Sequence, residues 1–185
     1  MSYKLKSDQG VILADLLAGQ VTLMADQLRY SLRIKSQDRT AFTKACGIDL
    51  PNKIGQTIIQ NDRMVFCVGP DEYILIDNPN LRETLKQKFE QLADKFVFST
   101  TDISHRNIGF KLSGKQAARM INIGCPLDLS LETFPVGKCT RSVFESAEIL
   151  IFRNKEDEFQ LETWRSFAPY MARYFEKFCL ENESL

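Results

Sequence analysis

The sequence predicts an α+β protein made of two duplicated lobes, each ordered β-α-β-β-β-α and packed together. Three observations lead there. Strand-like runs and amphipathic helices follow the same order in two successive stretches of chain. The segment Asp71-Glu72-Tyr73-Ile74-Leu75 returns as Asp157-Glu158-Phe159-Gln160-Leu161, each time leading into a helix with aromatic and aliphatic anchors. Finally, each stretch is too small to bury both faces of its strands alone, which favours two lobes within one 185-residue unit. The expected arrangement is a single domain over residues 1–185, with lobes at about 24–98 and 99–182.

Element by element, the first lobe opens with Leu28–Ile34, which alternates apolar and polar residues as a half-buried strand does. A short helix follows over about Asp38–Cys46, with Phe42 on its apolar face and Gly47 placed to end it. Three strands are expected at Gln56–Gln60, Met64–Val68 and Tyr73–Ile76. Asn78 then caps a helix that starts at Pro79 and turns Leu81, Leu85, Phe89 and Leu92 inward. The segment Lys95–Asp102 links the lobes and has strand character of its own.

In the second lobe Ile108–Leu112 is a strand, and Ser113 with Gln116 stands at capping-box spacing before a short helix. Strands follow at Thr140–Glu145, Glu148–Phe152 and Phe159–Thr163. The last helix starts near Ser166, its expected N-cap, and presents Phe167, Met171, Tyr174, Phe175 and Phe178. This register sets Met171 against Leu85 and Phe175 against Phe89.

Composition narrows the function. Lys+Arg and Asp+Glu both number 24, so the formal charge is zero. That balance argues against nucleic acid and against an anionic membrane surface, both of which select a basic excess. It also removes self-repulsion, which suits a chain that works inside a complex. The five cysteines are odd in number, form no Cys-x-x-Cys pair and have mostly apolar neighbours. They are expected as buried free thiols in a reducing compartment. With no signal peptide recognisable and no run long enough to span a bilayer, a cytoplasmic location is expected.

Four segments carry candidate chemistry. Gly109 to Lys115 satisfies Gly-x-x-x-x-Gly-Lys, but its middle alternates as a strand. Gln116 stands where a phosphate loop needs a hydroxyl, so a strand entering a helix is the better reading. Asp102-Ile103-Ser104-His105 holds the only histidine; a nucleophile with its base and an ordinary turn are the two alternatives. The stretch Ile123–Lys138 is long for a connection and carries Leu127, Leu129, Leu131, Phe134 and Val136. It is either a partner surface or a loop tucked under the lobe. Arg165, after Trp164, is a candidate for an anion or a partner carboxylate. No catalytic, cofactor-binding or metal-ligating residue is assigned. Leu127, Leu129, Leu131, Phe134 and Arg165, with the apolar segment Val11–Leu17, are the expected partner contacts.

Several of these segments resemble a known family. Val68-Gly69-Pro70-Asp71-Glu72-Tyr73, Asp102-Ile103-Ser104-His105-Arg106 and Gly124-Cys125-Pro126-Leu127-Asp128-Leu129 are similar to the gamma subunits of heterotetrameric sarcosine oxidase. Phe134-Pro135-Val136-Gly137-Lys138-Cys139-Thr140 and Arg165-Ser166-Phe167-Ala168 extend the resemblance over about Leu28 to Phe178. The resemblance implies a fold similar to the folate-binding domain of the glycine-cleavage aminomethyltransferase. It also implies a non-catalytic subunit that packs on an alpha subunit beside beta and delta subunits. Flavins, NAD and folate are then expected on those partners and none on this chain. The implied enzyme demethylates sarcosine oxidatively and passes the one-carbon unit to tetrahydrofolate. Aminomethyltransferases carry an acidic pair on one strand, and Val143–Leu150 shows no such pair, so folate chemistry is not expected here. Two other readings stay open at this point: a stand-alone folate-binding or one-carbon-transfer protein, and the equivalent subunit of an N-methylglutamate dehydrogenase.

Overall fold

The structure, a computed structural model, describes residues 20–182. The chain divides into two compact units, each built on one five-stranded sheet. The first unit comprises Gln27–His105 with Gly137–Thr140. Its sheet has the order β3-β4-β5-β2-β6, from β2 (Leu28–Ile34), β3 (Thr57–Gln60), β4 (Arg63–Cys67), β5 (Glu72–Asp77) and β6 (Phe98–Asp102). All its neighbouring strands run antiparallel.

Helices α1 (Arg39–Cys46) and α2 (Arg82–Leu92) serve the apolar face of this sheet. The inward stripe of α2, Leu85, Phe89 and Leu92, joins Leu28, Leu32 and Leu75 in the core. Burial of side chains of this kind contributes about 1.5–3 kcal/mol each. Tyr30 meets Phe89 edge-on with centroids 5.4 Å apart, and Phe42 packs against Phe98 at 4.9 Å. Gly47 ends α1 at φ 64°, a left-handed conformation that favours glycine. The segment Gly137–Thr140 is bound here through its backbone: Cys139 N–H donates to Gly55 O at 2.9 Å, and Lys138 pairs with Gln56.

The second unit comprises the described residues up to Asp26, then Arg106–Val136 and Arg141 onward. Its sheet has the order β1-β7-β10-β9-β8. The strands are β1 (Val21–Leu23), β7 (Asn107–Ser113), β8 (Cys139–Phe144), β9 (Ala147–Lys155) and β10 (Glu158–Trp164). Helices α3 (Ala117–Asn122) and α4 (Ala168–Asn182) close its core with Met120, Ile121, Met171 and Phe175. Phe175 lies 5.6 Å from Phe110 and 5.2 Å from Phe144.

The order β-α-β-β-β-α recurs in both units, with the fifth strand last in the first unit and first in the second. Tyr73 stands opposite Leu32 and Cys67 in one, and Phe159 opposite Leu112 and Arg153 in the other. A 3₁₀ turn precedes each long helix, Pro79–Leu81 before α2 and Arg165–Phe167 before α4. Asn78 caps the former as expected, accepting from Asn80 N–H at 2.9 Å.

The structure corrects several local expectations. Ser113 does not cap α3: it ends β7, with its N–H on Gln20 O, and Gln116 occupies the cap position without a side-chain bond. Ser166 lies inside the 3₁₀ turn, and Trp164 takes the position before it. The segment after Lys95 does form a strand, β6, but pairs with β2 and so belongs to the first unit. In the mirror position, β1 pairs with β7. The units therefore divide at His105 rather than residue 98, and β1 is a strand beyond the expected set. Val11–Leu17 lies outside the described residues.

Candidate functional site

The most information-rich irregular segment follows α3. Gly124 starts it against the Phe144 ring: a Cβ there would come within 2.9 Å of two ring carbons, so only glycine fits without movement. The Asn122 side chain then donates to Cys125 O at 3.0 Å and Leu127 O at 2.7 Å. Asp128 accepts from Ser130 N–H and from the Thr133 hydroxyl, both at 2.9 Å. These two hydrogen bonds hold its carboxyl below the usual aspartate range. Phe134 N–H closes the turn on Ser130 O at 2.8 Å.

This segment divides between the two roles its sequence offered. Leu129 (4% exposed) and Phe134 (2%) are core residues of their own unit, so those expected contacts are corrected to packing positions. Leu127 is partly buried against the same core. Leu131 (45%) and Val136 (54%) face outward and remain the surface part of the loop.

The residue that fixes this division is Arg153 on β9, 2% exposed. One Nη donates to Phe134 O at 2.6 Å and the other to Leu129 O. The guanidinium lies 4.5 Å from the Phe159 ring centroid. Two buried carbonyls of an irregular loop thus gain charged donors, which such groups need when water is excluded. Burial lowers the Arg153 pKa from its ordinary value. Sequence reading missed this residue, although the signal was present: alternation through Ile149, Ile151 and Arg153 puts all three on the core face.

Elsewhere, Ser104 Oγ donates to Asp102 Oδ1 at 2.6 Å, and Ser104 N–H binds the same oxygen at 2.9 Å. The hydroxyl also accepts from Arg29 N–H at 2.8 Å. These bonds make the turn reading of Asp102–His105 the one the geometry supports, since the serine proton is directed at a carboxylate and not at His105. The Gly-x-x-x-x-Gly-Lys segment is β7 through Ser113, followed by Gly114 at φ 102°. Arg165 pairs with Asp26 Oδ1 at 3.1 Å, and beside it the exposed Trp164 lies under the Arg106 guanidinium at 5.6 Å.

Cys46, Cys67, Cys125 and Cys139 are buried and Cys179 is partly buried; none forms a disulfide. Burial pushes Cys46 and Cys67 up, and Cys139 up to about 11. Among the described residues no group of three or more His, Cys, Asp or Glu side chains is placed to hold a metal ion. No described helix is long and apolar enough to cross a membrane. The geometry is that of a surface loop braced from within by hydrogen bonds.

Residues 36–181 match the sarcosine oxidase, gamma subunit family. The sarcosine oxidase subunit gamma of Corynebacterium sp. strain U-96 is 25% identical over 142 residues, which cover 75% of this chain and 67% of that one. In the solved heterotetrameric sarcosine oxidase from Corynebacterium sp. U-96, in complex with pyrrole 2-carboxylate, one chain superimposes with a TM-score of 0.78 at 24% identity. That match covers 93% of this chain and 91% of the other. The glycine cleavage system aminomethyltransferase T from Bartonella henselae shares the fold at a TM-score of 0.65 and 15% identity, over 84% of this chain and 44% of that one. With its family pattern matched from residue 36 to residue 181, the chain belongs to the sarcosine oxidase gamma subunit family.

Proposed function

We propose that this chain acts as the gamma subunit of a heterotetrameric sarcosine oxidase, packing on the alpha subunit and contributing structure, with no active site of its own. The observation that carries this reading is the family match over residues 36–181. In the proposed enzyme, sarcosine is demethylated oxidatively to glycine and the one-carbon unit passes to tetrahydrofolate. Flavins, NAD and folate are held by the alpha, beta and delta partners, in the cytoplasm. A loop stiffened by Arg153, with Leu131 and Val136 turned outward, suits a docking role. The two units descend, in this reading, from one duplicated ancestor; their recurring β-α-β-β-β-α order and 3₁₀ entry into the long helix support it.

The test is a pull-down of the tagged chain from its native extract, with mass spectrometry and an absorbance scan of the eluate. Large flavin-bearing subunits in the eluate, with the purified chain itself colourless, are the expected result. A chain that emerges alone and binds tetrahydrofolate by calorimetry overturns the subunit role.

A further inference from the structure

The first unit carries an open groove of about 780 Å³ between helix α2 and strand β6. Its apolar lining includes Tyr30, Phe89, Phe96 and Val97, the last 77% exposed. Beside it lies a sheet edge: among the described residues β6 pairs with β2 on one side and ends the sheet on the other. Ile103 N–H donates to Arg29 O at 2.8 Å, and Tyr30 stands opposite Asp102. Antiparallel alternation then directs the N–H and C=O groups of Ser99 and Thr101 at β2, and those of Phe98, Thr100 and Asp102 outward. The side chains of these same three residues line the groove.

Natural sheet edges are usually defended by lysine, proline, a bulge or very short length. β6 has none of these over its five residues, Phe-Ser-Thr-Thr-Asp; its one charge, Asp102, is paired with Arg82. The charged residues around the groove are Arg82 and Lys86 against Glu83, Glu90 and Asp102, an excess of one negative charge. A phosphate, a nucleic acid or a lipid headgroup would find no cationic excess there. What matches an open row of alternating main-chain donors and acceptors beside an aromatic trough is another extended polypeptide.

The geometry points to strand addition at β6. An extended segment of a partner subunit pairs with the outward main-chain groups of Phe98, Thr100 and Asp102, and sets alternate apolar side chains into the trough under α2. This inference rests on the gamma-subunit role and adds the place and mode of contact.

The experiment uses the assembled enzyme, the chain co-produced with alpha, beta and delta subunits and captured through a tag on alpha. Amide hydrogen exchange on the chain alone and in the assembly is read at Phe98, Thr100 and Asp102. Assembly is expected to slow these by about tenfold or more. Thr100→Pro removes an outward N–H without disturbing the pairing to β2, since proline is tolerated on the open side of an edge strand. It is expected to weaken capture about tenfold or more while circular dichroism and the Tm of the chain stay unchanged. Unchanged exchange at the three amides, with assembly intact, overturns strand addition and leaves the gamma-subunit role standing. A parent chain that is not captured at all overturns that role and this inference with it. An isolated chain that is dimeric, with the three amides already protected, makes a second copy the occupant and overturns the proposal. Should Thr100→Pro fail to fold, the exchange measurement on the parent chain decides the matter without it.

Discussion

Replacing Arg153 by methionine tests whether one buried cation holds the 124–136 loop. Methionine keeps much of the volume and removes both donors. Each charge-assisted hydrogen bond, to Phe134 O and to Leu129 O, contributes about 1.5–3 kcal/mol, so about 3–6 kcal/mol is lost for the pair. The stack on Phe159 at 4.5 Å adds about 2 kcal/mol. Against this, burial of the guanidinium no longer costs its several kcal/mol of desolvation. The net expectation is a loss of about 2–4 kcal/mol. Arg153→Lys should recover only part of it, because a point charge does not bridge two carbonyls as a planar fork does. Urea unfolding followed through Trp164, the single tryptophan, measures the loss. Amide exchange over the loop shows where it falls. If Arg153→Met stays within about 0.5 kcal/mol of the parent and the loop exchanges as before, apolar burial of Leu129 and Phe134 alone holds it, and the reasoning is refuted.

Gly124→Ala should destabilise by about 1–3 kcal/mol, because its Cβ meets the Phe144 ring at 2.9 Å; thermal unfolding at the parent's Tm would expose the error if the variant matched it. Asp128 has a folded-state pKa below its unfolded value, so its stabilising effect is present above the ordinary aspartate range and lost as pH falls through the folded value. The stability gap between the parent and Asp128→Ala should therefore narrow as pH falls through and below the ordinary aspartate range, and a constant gap would contradict the hydrogen-bond account. Because thiolates are the reactive form, iodoacetamide at mildly alkaline pH should label Cys179 first, with Cys46, Cys67 and Cys139 labelled only in denaturant. Early labelling of Cys139, whose thiol lies near 11, would place it in a more open site than its burial implies.

Much of the fold was readable from periodicity alone, and the exceptions share a cause. The long helices announced themselves through Leu85, Phe89 and Leu92 and through Met171, Phe175 and Phe178, because their spacing is local. β1 did not: Val21–Leu23 is too short for a pattern and becomes a strand only by pairing with Phe110–Leu112. The side of the sheet on which β6 falls is likewise decided by a partner far along the chain. In the 124–136 loop no period separates Leu129 from Leu131, so residue type showed an apolar segment without saying which members turn inward. That is decided by Arg153, whose targets lie 19 and 24 residues away in sequence. Ser113 and Gln116 had capping-box spacing, but β7 runs through Ser113 to meet β10, and the ladder prevails over the local cap.

The pairing of Lys138 with Gln56 and of Cys139 with Gly55 has a bearing on how the molecule is made. These partners stand more than 80 positions apart, so the first unit lacks a piece of its own framework until most of the chain has left the ribosome. Non-local closures of this kind slow folding. They also mean that a fragment cut at the obvious boundary, residues 27–105, would carry the Gly55 carbonyl and the Gln56 backbone without the segment that answers them. A fragment meant to stand alone would need Gly137–Thr140 restored, by a linker or as a separate peptide, before its fold could be complete.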